Sequence, residues 1–242
     1  MTVIPYKHAT DGKKSQVARM FNNIAPRYDL LNHLLSMGID KIWRRKVIQI
    51  LRQSPCPRVL DVATGTGDMA IAIHRRLKVS VTGLDLSEQM LNVARQKVAR
   101  RQLTDVTLVQ GDSEGLPFDS SSFDAVTVAF GVRNFENLEQ GLREMKRVLV
   151  PGGRMLVLEF SKPSVFPVKQ LFRFYSSTIL PFLGGLISKD RAAYDYLPQS
   201  VEQFPEGEDF MAVLSVVGME QIRQYRLSFG IATIYFSVNP VQ

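Results

Sequence analysis

The chain has very little cysteine and no long uncharged apolar run. Its 242 residues include one cysteine, Cys56, so no internal disulfide can form. The opening stretch MTVIPYKHATDGKK lacks the apolar core of a signal peptide. The apolar run from Phe174 to Ser188 is interrupted by Pro181 and falls short of the roughly 20 residues of a spanning helix. We therefore expect a cytoplasmic protein that does not cross a membrane.

Histidine is also scarce. The three histidines, His8, His33 and His74, are far apart and lack a paired carboxylate spacing, which predicts no metal site. Charge is not scarce: the formal net charge is +7, which suits a nucleic acid, an anionic membrane surface or an anionic small ligand. The basic residues are scattered along helical faces, so charge alone does not choose among these partners.

From Arg58 onward, short apolar runs alternate with helical patterns, which is typical of a parallel α/β sheet covered by helices. The predicted strands are Arg58–Ala63, Val79–Leu84, Val106–Gln110, Asp124–Ala129 and Arg154–Phe160. The predicted helices between them are Asp68–Leu77, Ser87–Arg101 and Leu138–Val150. Pro151-Gly152-Gly153 should end the last helix and turn the chain into the fifth strand.

The flanking segments complete a single predicted domain. Two β-rich runs, Met219–Leu227 and Ile231–Val238, are separated by Ser228-Phe229-Gly230 and should form a hairpin, so that one of them is antiparallel. The domain would then comprise a helical lid (13–53), a cofactor-binding core (57–161), a helical insertion for substrate (163–217) and the hairpin (219–238).

Polar residues follow three consecutive strands of this predicted sheet. After the first strand, Gly65 and Gly67 allow the backbone to approach a ligand at a helix N-terminus, and Asp61 is placed to hold a cationic amine. Asp85 ends the second strand and can accept both hydroxyls of a ribose. Asp112 and its neighbour Ser113 end the third strand, where they can read an adenine edge. Amino-acid, ribose and base contacts thus occur in order.

A nicotinamide-dependent oxidoreductase is the main competing interpretation. The run from Gly65 to Ala70 also satisfies the dinucleotide fingerprint, and Asp85 fits it as well. Against it stand Asp61 where pyrophosphate would lie, the absence of a Tyr-x-x-x-Lys spacing and the terminal hairpin.

Together these residues resemble the class I S-adenosylmethionine-dependent methyltransferases. Further segments are similar to one family among them, the ubiquinone/menaquinone biosynthesis C-methyltransferases: YDLLNHLLSMGIDKIW from Tyr28, RVLVPGGRMLVLEFSKP from Arg147, AFGVRN from Ala129 and YDYLPQS from Tyr194. The resemblance implies a Rossmann-like, mostly parallel seven-stranded sheet with an antiparallel C-terminal hairpin. It also implies S-adenosyl-L-methionine as cofactor, and the expected cofactor-binding residues are Asp61, Thr64, Gly65, Gly67, Asp85, Asp112, Ser113 and Ala129.

The resemblance further implies methyl transfer to a ring carbon of a polyprenylated quinol. The substrate would be demethylmenaquinol or a methoxy-polyprenyl-benzoquinol; we favour the first because the menaquinone activity is more widespread in the family. Arg133 and Asn134 are expected to stabilise the developing phenolate and orient the ring. The tyrosines Tyr28, Tyr194 and Tyr196 are expected to close over the ring. No histidine stands near this motif, so the proton acceptor is left unnamed.

Other classes predict different features. An enzyme that methylates nucleic-acid amino groups usually carries an Asn/Asp-Pro-Pro-Tyr turn after the fourth strand, where this chain has AFGVRN, so we expect no nucleic-acid partner. A non-catalytic S-adenosylmethionine-binding module would share the fold and differ only in an assay. Basic residues flanking the apolar run after Lys162 suggest peripheral contact with the inner face of the cytoplasmic membrane. A homodimer remains open.

Overall fold

The structure is a computed structural model that describes residues 3–7, 9–36, 38–174, 178 and 191–241. Seven strands form one sheet in the order β3-β2-β1-β4-β5-β7-β6. They are β1 (Arg58–Val62), β2 (Ser80–Asp85), β3 (Val106–Gln110), β4 (Phe123–Ala129), β5 (Leu149–Phe160), β6 (Glu220–Leu227) and β7 (Ala232–Val238). Strands β1 to β5 are parallel to one another, while β7 is antiparallel to both β5 and β6.

Helices cover both faces of the sheet. In chain order they are α1 (Lys13–Leu35), α2 (Ile39–Leu51), α3 (Asp68–Leu77), α4 (Glu88–Arg100), α5 (Leu138–Arg147), α6 (Val168–Phe174), α7 (Arg191–Gln203) and α8 (Glu208–Val216). Side chains cap two of them: the Ser87 hydroxyl accepts from the Met90 amide, and the Asn137 amide oxygen accepts from Gln140. No helix in the described part of the chain is long and apolar enough to cross a membrane.

The core has two layers because the central strands are buried on both faces. One layer includes Leu142 and Phe210, and the other includes Leu51 and Ile73 on the opposite side of the sheet. Both faces of β1 and β4 are covered, so a ligand can approach these strands at their carboxyl ends. Helix α1 packs against α4 beside these strand ends.

The predicted α/β class, sheet and C-terminal hairpin are confirmed, with bounds that differ by one residue at several strand ends. One larger prediction was wrong. Helix α5 ends at Arg147, not Val150, and Pro151-Gly152-Gly153 lies within β5. Leu149 already pairs with Phe123, and the extra residues form a bulge before Arg154 pairs with β4. The Gly152 amide donates to Asn239, which holds this bulge in the sheet.

Candidate active site

A cavity opens at the carboxyl ends of β1 to β4 and extends under α1. Its volume is about 720 Å³, counting the open space at its mouth. The cavity brings together most of the residues predicted for cofactor and ring: Tyr28, Gly65, Asp85, Asp112, Ser113, Ala129 and Asn134. Carboxyl ends of parallel strands are the usual ligand site in such sheets.

Asp85 lies in the wall of this cavity with its carboxylate held by two backbone amides. Its Oδ2 accepts from the Gly65 amide at 2.7 Å and its Oδ1 accepts from the Ser87 amide at 2.8 Å. Burial raises the pKa of Asp85 to about 6 in spite of these two bonds. Each carboxylate oxygen has a second lone pair, so Asp85 can still accept hydroxyls of a ligand.

Asp61 is more enclosed than the sequence suggested. It is buried at the end of β1, where its oxygens accept from the hydroxyls of Thr64 at 2.6 Å and Thr127 at 2.7 Å. Burial raises the pKa of Asp61 to about 6. Neither Asp61 nor Thr64 lines the cavity, so in this conformation they support the glycine loop from below.

The two glycines of the loop differ in their surroundings. Gly65 has a φ of +57° and a Cβ there would meet nothing within 4 Å, which leaves its backbone open to the cavity. Gly67 has a φ of +79° and a Cβ there would lie 3.0 Å from the Ala94 Cβ of α4. Gly65 is therefore the glycine that offers backbone to a ligand, whereas Gly67 permits close packing of the loop on α4.

At the end of β3, Asp112 and Ser113 line the cavity as predicted, but Asp112 already has a cationic partner. Lys14 of α1 lies 2.7 Å from the Asp112 carboxylate and 3.1 Å from that of Glu114. The Asp112 oxygen Oδ1 accepts from the Glu114 amide. Helix α1 thus reaches the part of the cofactor site that is predicted to hold the adenine.

Helix α1 contacts the loop after each of the first three strands. Besides the Lys14 pair, the Ser87 hydroxyl donates to Asn22 at 2.6 Å, and the Thr66 hydroxyl donates to Asp29 at 2.6 Å. Residues 14, 22 and 29 recur at intervals of two helical turns and so lie on one face. The amino-terminal helix therefore lies across the whole cavity.

Arg133 and Asn134 follow β4 in a short 3₁₀ turn and meet at one backbone oxygen. Arg133 donates from Nη1 to the Phe130 carbonyl at 2.7 Å, and Asn134 Nδ2 approaches the same oxygen at 3.5 Å. Arg133 also donates to Glu159 at 2.6 Å, and its guanidinium lies 5.4 Å from the Phe160 ring centroid. Phe130 and Asn134 line the cavity, whereas the Arg133 guanidinium is held behind them and does not itself line it.

The positive charge of Arg133 affects the pKa of two of the predicted tyrosines, Tyr28 and Tyr196. Tyr28 lines the cavity, and burial raises its pKa while Arg133 opposes that rise. Burial also raises the pKa of Tyr196 to about 12, again opposed by Arg133, and the Tyr196 hydroxyl has no hydrogen-bond partner. Tyr194 lies on α7 in the same turn, but its side chain is outside the described residues.

Two residues of this site were missed by the sequence analysis. Glu159 is fully buried on β5, and the signal was present as a single acidic residue in the apolar run MLVLEF. Lys14 gave no signal, because its partners lie about a hundred residues away and depend on how α1 crosses the sheet.

The residues at the first three strand ends fit an adenosyl amino acid better than a dinucleotide. The glycine loop presents its open backbone at Gly65, and Asp85 offers carboxylate oxygens to a ribose in the cavity wall. Asp61, buried below the loop, places a second acidic group beneath the position that a pyrophosphate would have to occupy, where its charge would repel the phosphates. The strand order, antiparallel β7 and this loop define a class I S-adenosylmethionine-dependent methyltransferase.

Comparison with known proteins identifies the family. Residues 9–239 match the ubiE/COQ5 methyltransferase family, and the chain belongs to it. It is 50% identical over 231 residues to a demethylmenaquinone methyltransferase of Bacteroides fragilis, covering 94% of each chain. It is 46% identical to a ubiquinone/menaquinone biosynthesis C-methyltransferase UbiE of Geotalea daltonii, covering 92% of this chain and 96% of the relative. The family resemblance and the cofactor predicted from the sequence are confirmed.

Solved structures support the fold alone. A possible histamine N-methyltransferase of Thermotoga maritima superposes with a TM-score of 0.63 at 18% identity, covering 91% of this chain and 98% of that one. The [4+2]-cyclase SpnF superposes with a TM-score of 0.72 at 17% identity, covering 96% and 98%. Since a cyclase shares the architecture, the reaction must be argued from the site.

Proposed function

We propose that the protein transfers a methyl group from S-adenosylmethionine to a ring carbon of demethylmenaquinol and so forms menaquinol. The observation that carries this proposal is the Arg133 guanidinium, which donates to the carbonyl of Phe130 in the cavity wall, next to Asn134, and acts electrostatically on Tyr28 and Tyr196. The names of the relatives point to the same reaction.

In this proposal the strand ends hold the cofactor, which when bound supplies an electrophilic methyl group on a sulfonium. Gly65 presents its backbone, Asp85 accepts the ribose hydroxyls, and Asp112 with Ser113 faces the base. Asp61 and Thr64 fix the loop from below and add negative charge beneath the cationic end of the ligand. Ala129, the last residue of β4, lines the cavity just before the turn that carries Arg133 and Asn134.

Arg133 and Asn134 act on the quinol. A ring carbon becomes nucleophilic when the hydroxyl on the ring loses its proton, and a guanidinium stabilises the resulting phenolate. Asn134 Oδ1 is buried without a partner and is available to orient the second ring oxygen. Tyr28 of α1 and Tyr196 of α7 exclude water from the ring. The same role is predicted for Tyr194 from the sequence alone, since its side chain lies outside the described residues.

The test is an anaerobic assay with labelled S-adenosylmethionine and short-chain quinone analogues, each with and without a reductant. Label should enter the demethylmenaquinone analogue only after reduction, because the oxidised ring has no hydroxyl to deprotonate. Equal labelling of the oxidised analogue would refute the proposed chemistry.

Methylation of a methoxy-polyprenyl-benzoquinol is the second candidate. It is favoured by relatives whose names include ubiquinone, such as the protein of Geotalea daltonii. In the same assay a benzoquinol analogue that is turned over faster than the naphthoquinol would make this the main activity.

We further propose that the protein docks on the inner face of the cytoplasmic membrane, where a polyprenylated substrate resides. Four apolar side chains at α6 and just before it are exposed by 57–77%, and Lys169 lies exposed among them. They are Val165, Phe166, Leu171 and Phe174. An exposed apolar patch with basic residues is the composition of an interfacial segment. Most of the apolar run from Phe174 to Ser188 lies outside the described residues.

Sedimentation with vesicles of anionic lipid tests the docking. The wild type should pellet with the vesicles at low salt, and Phe166→Asp should release it. Val216→Asp is the matched control, since Val216 is similarly exposed at 63% on α8, outside this patch. An unbound wild type, or equal release by both variants, would reject the surface.

A further inference from the structure

The most unusual group in the described structure is Glu159. Its side chain is completely buried, and one oxygen accepts from the Arg133 guanidinium and from its neighbour's amide. The other oxygen, Oε2, has no partner with good hydrogen-bond geometry, although the Arg133 backbone amide is near enough to lower the Glu159 pKa. A buried carboxylate oxygen without a hydrogen bond is costly, and proteins keep such groups mainly where function requires them. A missing donor therefore belongs at Oε2.

Glu159 is not isolated in this respect. Arg133 Nε, Asn134 Oδ1 and the Tyr196 hydroxyl are also buried without partners. Arg133 binds Glu159 directly, Asn134 shares the Phe130 carbonyl with Arg133, and the charge of Glu159 acts on Tyr196. One ligand with two hydroxyl groups can supply both the donor and the acceptors that this cluster lacks.

The other buried carboxylates at the cofactor end of the sheet have both oxygens engaged. Asp61 accepts from two threonine hydroxyls, and Asp85 accepts from two backbone amides. Asp112 and Glu114 are only partly buried and share the ammonium group of Lys14. Glu136 also lines the cavity, but it is exposed and hydrated. Glu159 is the buried carboxylate of this set that has a free oxygen beside Arg133.

We propose that Glu159 is the catalytic base of the methyl transfer: a hydroxyl of the bound quinol is the missing partner of Oε2 and gives its proton to it. This inference rests on the proposed function. It names the acceptor that the sequence left open and gives Arg133 and Glu159 complementary roles.

The quinol O–H bond breaks, the proton joins Glu159, and the electron pair stays on the ring oxygen. Loss of the negative charge on Glu159 frees Arg133 to pair with the new phenolate, so the buried site keeps its net charge. The ring carbon bonds to the methyl carbon as the S–CH₃ bond breaks and its electrons remain on sulfur. The ring C–H proton then leaves to water, and Glu159 returns its proton to the oxygen.

The surroundings of Glu159 suit a base. Burial raises its pKa, and Arg133 opposes that rise. The titratable groups facing it are Arg133 from the turn after β4, Tyr196 from α7 and Tyr235 from β7. Both tyrosines stay neutral at physiological pH because burial raises their pKa values, so the carboxylate is the group of this set that can take up a proton.

The test compares Glu159→Gln with wild type at several pH values. The glutamine keeps the size of the side chain and an oxygen for Arg133, but it cannot accept a proton. We expect kcat to fall by about 10²–10⁴-fold, the usual contribution of a general base. The remaining rate should rise about tenfold per pH unit, because a phenol-like hydroxyl then ionises with its own pKa of about 10. The wild-type rate should level off at lower pH.

A second readout does not depend on turnover. A prereduced naphthoquinol analogue is bound anaerobically in the presence of S-adenosylhomocysteine, and its ultraviolet absorption is recorded, since ionisation shifts a naphthol band to longer wavelength. The ionised band should appear with wild type and be absent with Glu159→Gln. Asp124→Asn is the matched control, because Asp124 pairs with Arg58 at the opposite end of the sheet.

The outcomes are separable. If wild type does not methylate the analogue, the proposed function fails; if wild type is active and Glu159→Gln matches it in rate and pH profile, Glu159 is not the base. If Glu159→Gln does not fold, Glu159→Asp takes its place. The shorter carboxylate should be slower yet keep the wild-type plateau, and a plateau lost in the aspartate variant would also overturn the assignment.

Discussion

Replacing Asp85 by asparagine perturbs the cofactor site at one atom. In the wild type both carboxylate oxygens accept hydrogen bonds from backbone amides, from Gly65 at 2.7 Å and from Ser87 at 2.8 Å, and the residue lines the cavity. Asparagine keeps one oxygen and places an NH₂ group where the other was. The variant can still serve one amide, but it loses the charge that strengthens hydrogen bonds to the ribose.

The magnitude follows from that loss. A hydrogen bond to a charged group contributes about 1.5–3 kcal/mol, which corresponds to a Kd for S-adenosylmethionine about 10- to 150-fold weaker. The substitution should at the same time raise the free energy of unfolding. Burial raises the pKa of Asp85 to about 6, so its ionisation costs stability as pH rises from about 3.8 to 6. The neutral asparagine avoids that cost in stability at pH 8. It loses one of the two hydrogen bonds from the Gly65 and Ser87 amides, which offsets about 1 kcal/mol of the gain.

The assay is calorimetric titration of S-adenosylmethionine at pH 8 with a thermal melt of the same sample. We expect weaker binding with a melting temperature equal to or above that of the wild type. Wild-type affinity should also weaken as pH falls through about 6, where Asp85 takes up a proton. Asp124→Asn removes a carboxylate far from the cavity and should leave the affinity unchanged. Unchanged affinity in Asp85→Asn would refute the assignment of Asp85 to the ribose.

Three further predictions concern the loop and the ring site. Arg133→Ala should lower kcat by about a hundredfold or more and leave the S-adenosylmethionine Kd nearly unchanged, as measured by steady-state kinetics and calorimetry. Tyr196→Phe removes a buried hydroxyl that has no partner, so the protein should melt no lower while the KM for the quinol rises. Gly67→Ala places a Cβ 3.0 Å from Ala94 at a φ of +79°, and chemical denaturation should show a loss of about 1–3 kcal/mol.

Much of the cofactor end was predictable because its signals are local. A short apolar run followed by a turn and an acidic residue marks a strand end, and the parallel sheet brings such ends together. Asp85, Asp112 and the glycine loop were found in this way. The prediction at Pro151-Gly152-Gly153 was wrong because a proline and two glycines are equally typical of a loop and of a bulge. What makes this segment a bulge is the hydrogen bond from Gly152 to Asn239, which is distant in sequence and leaves no local signal.

The contacts that complete the site are long-range and left no such signal. Asp29 meets Thr66, and Lys14 meets Asp112, only because α1 folds back over the sheet. Glu159 illustrates a different limit. Its position in an apolar strand was visible, but its value as an acceptor depends on an oxygen left without a partner, which only the packed structure reveals.

The proposed reaction is tested most directly by where the methyl group arrives. Purified protein is incubated anaerobically with prereduced demethylmenaquinol analogue and S-adenosylmethionine carrying a ¹³C-labelled methyl group, and the product is analysed by carbon NMR. The site described here predicts a single labelled methyl carbon bonded to the quinone ring. A labelled methoxy carbon would show transfer to oxygen and contradict the account.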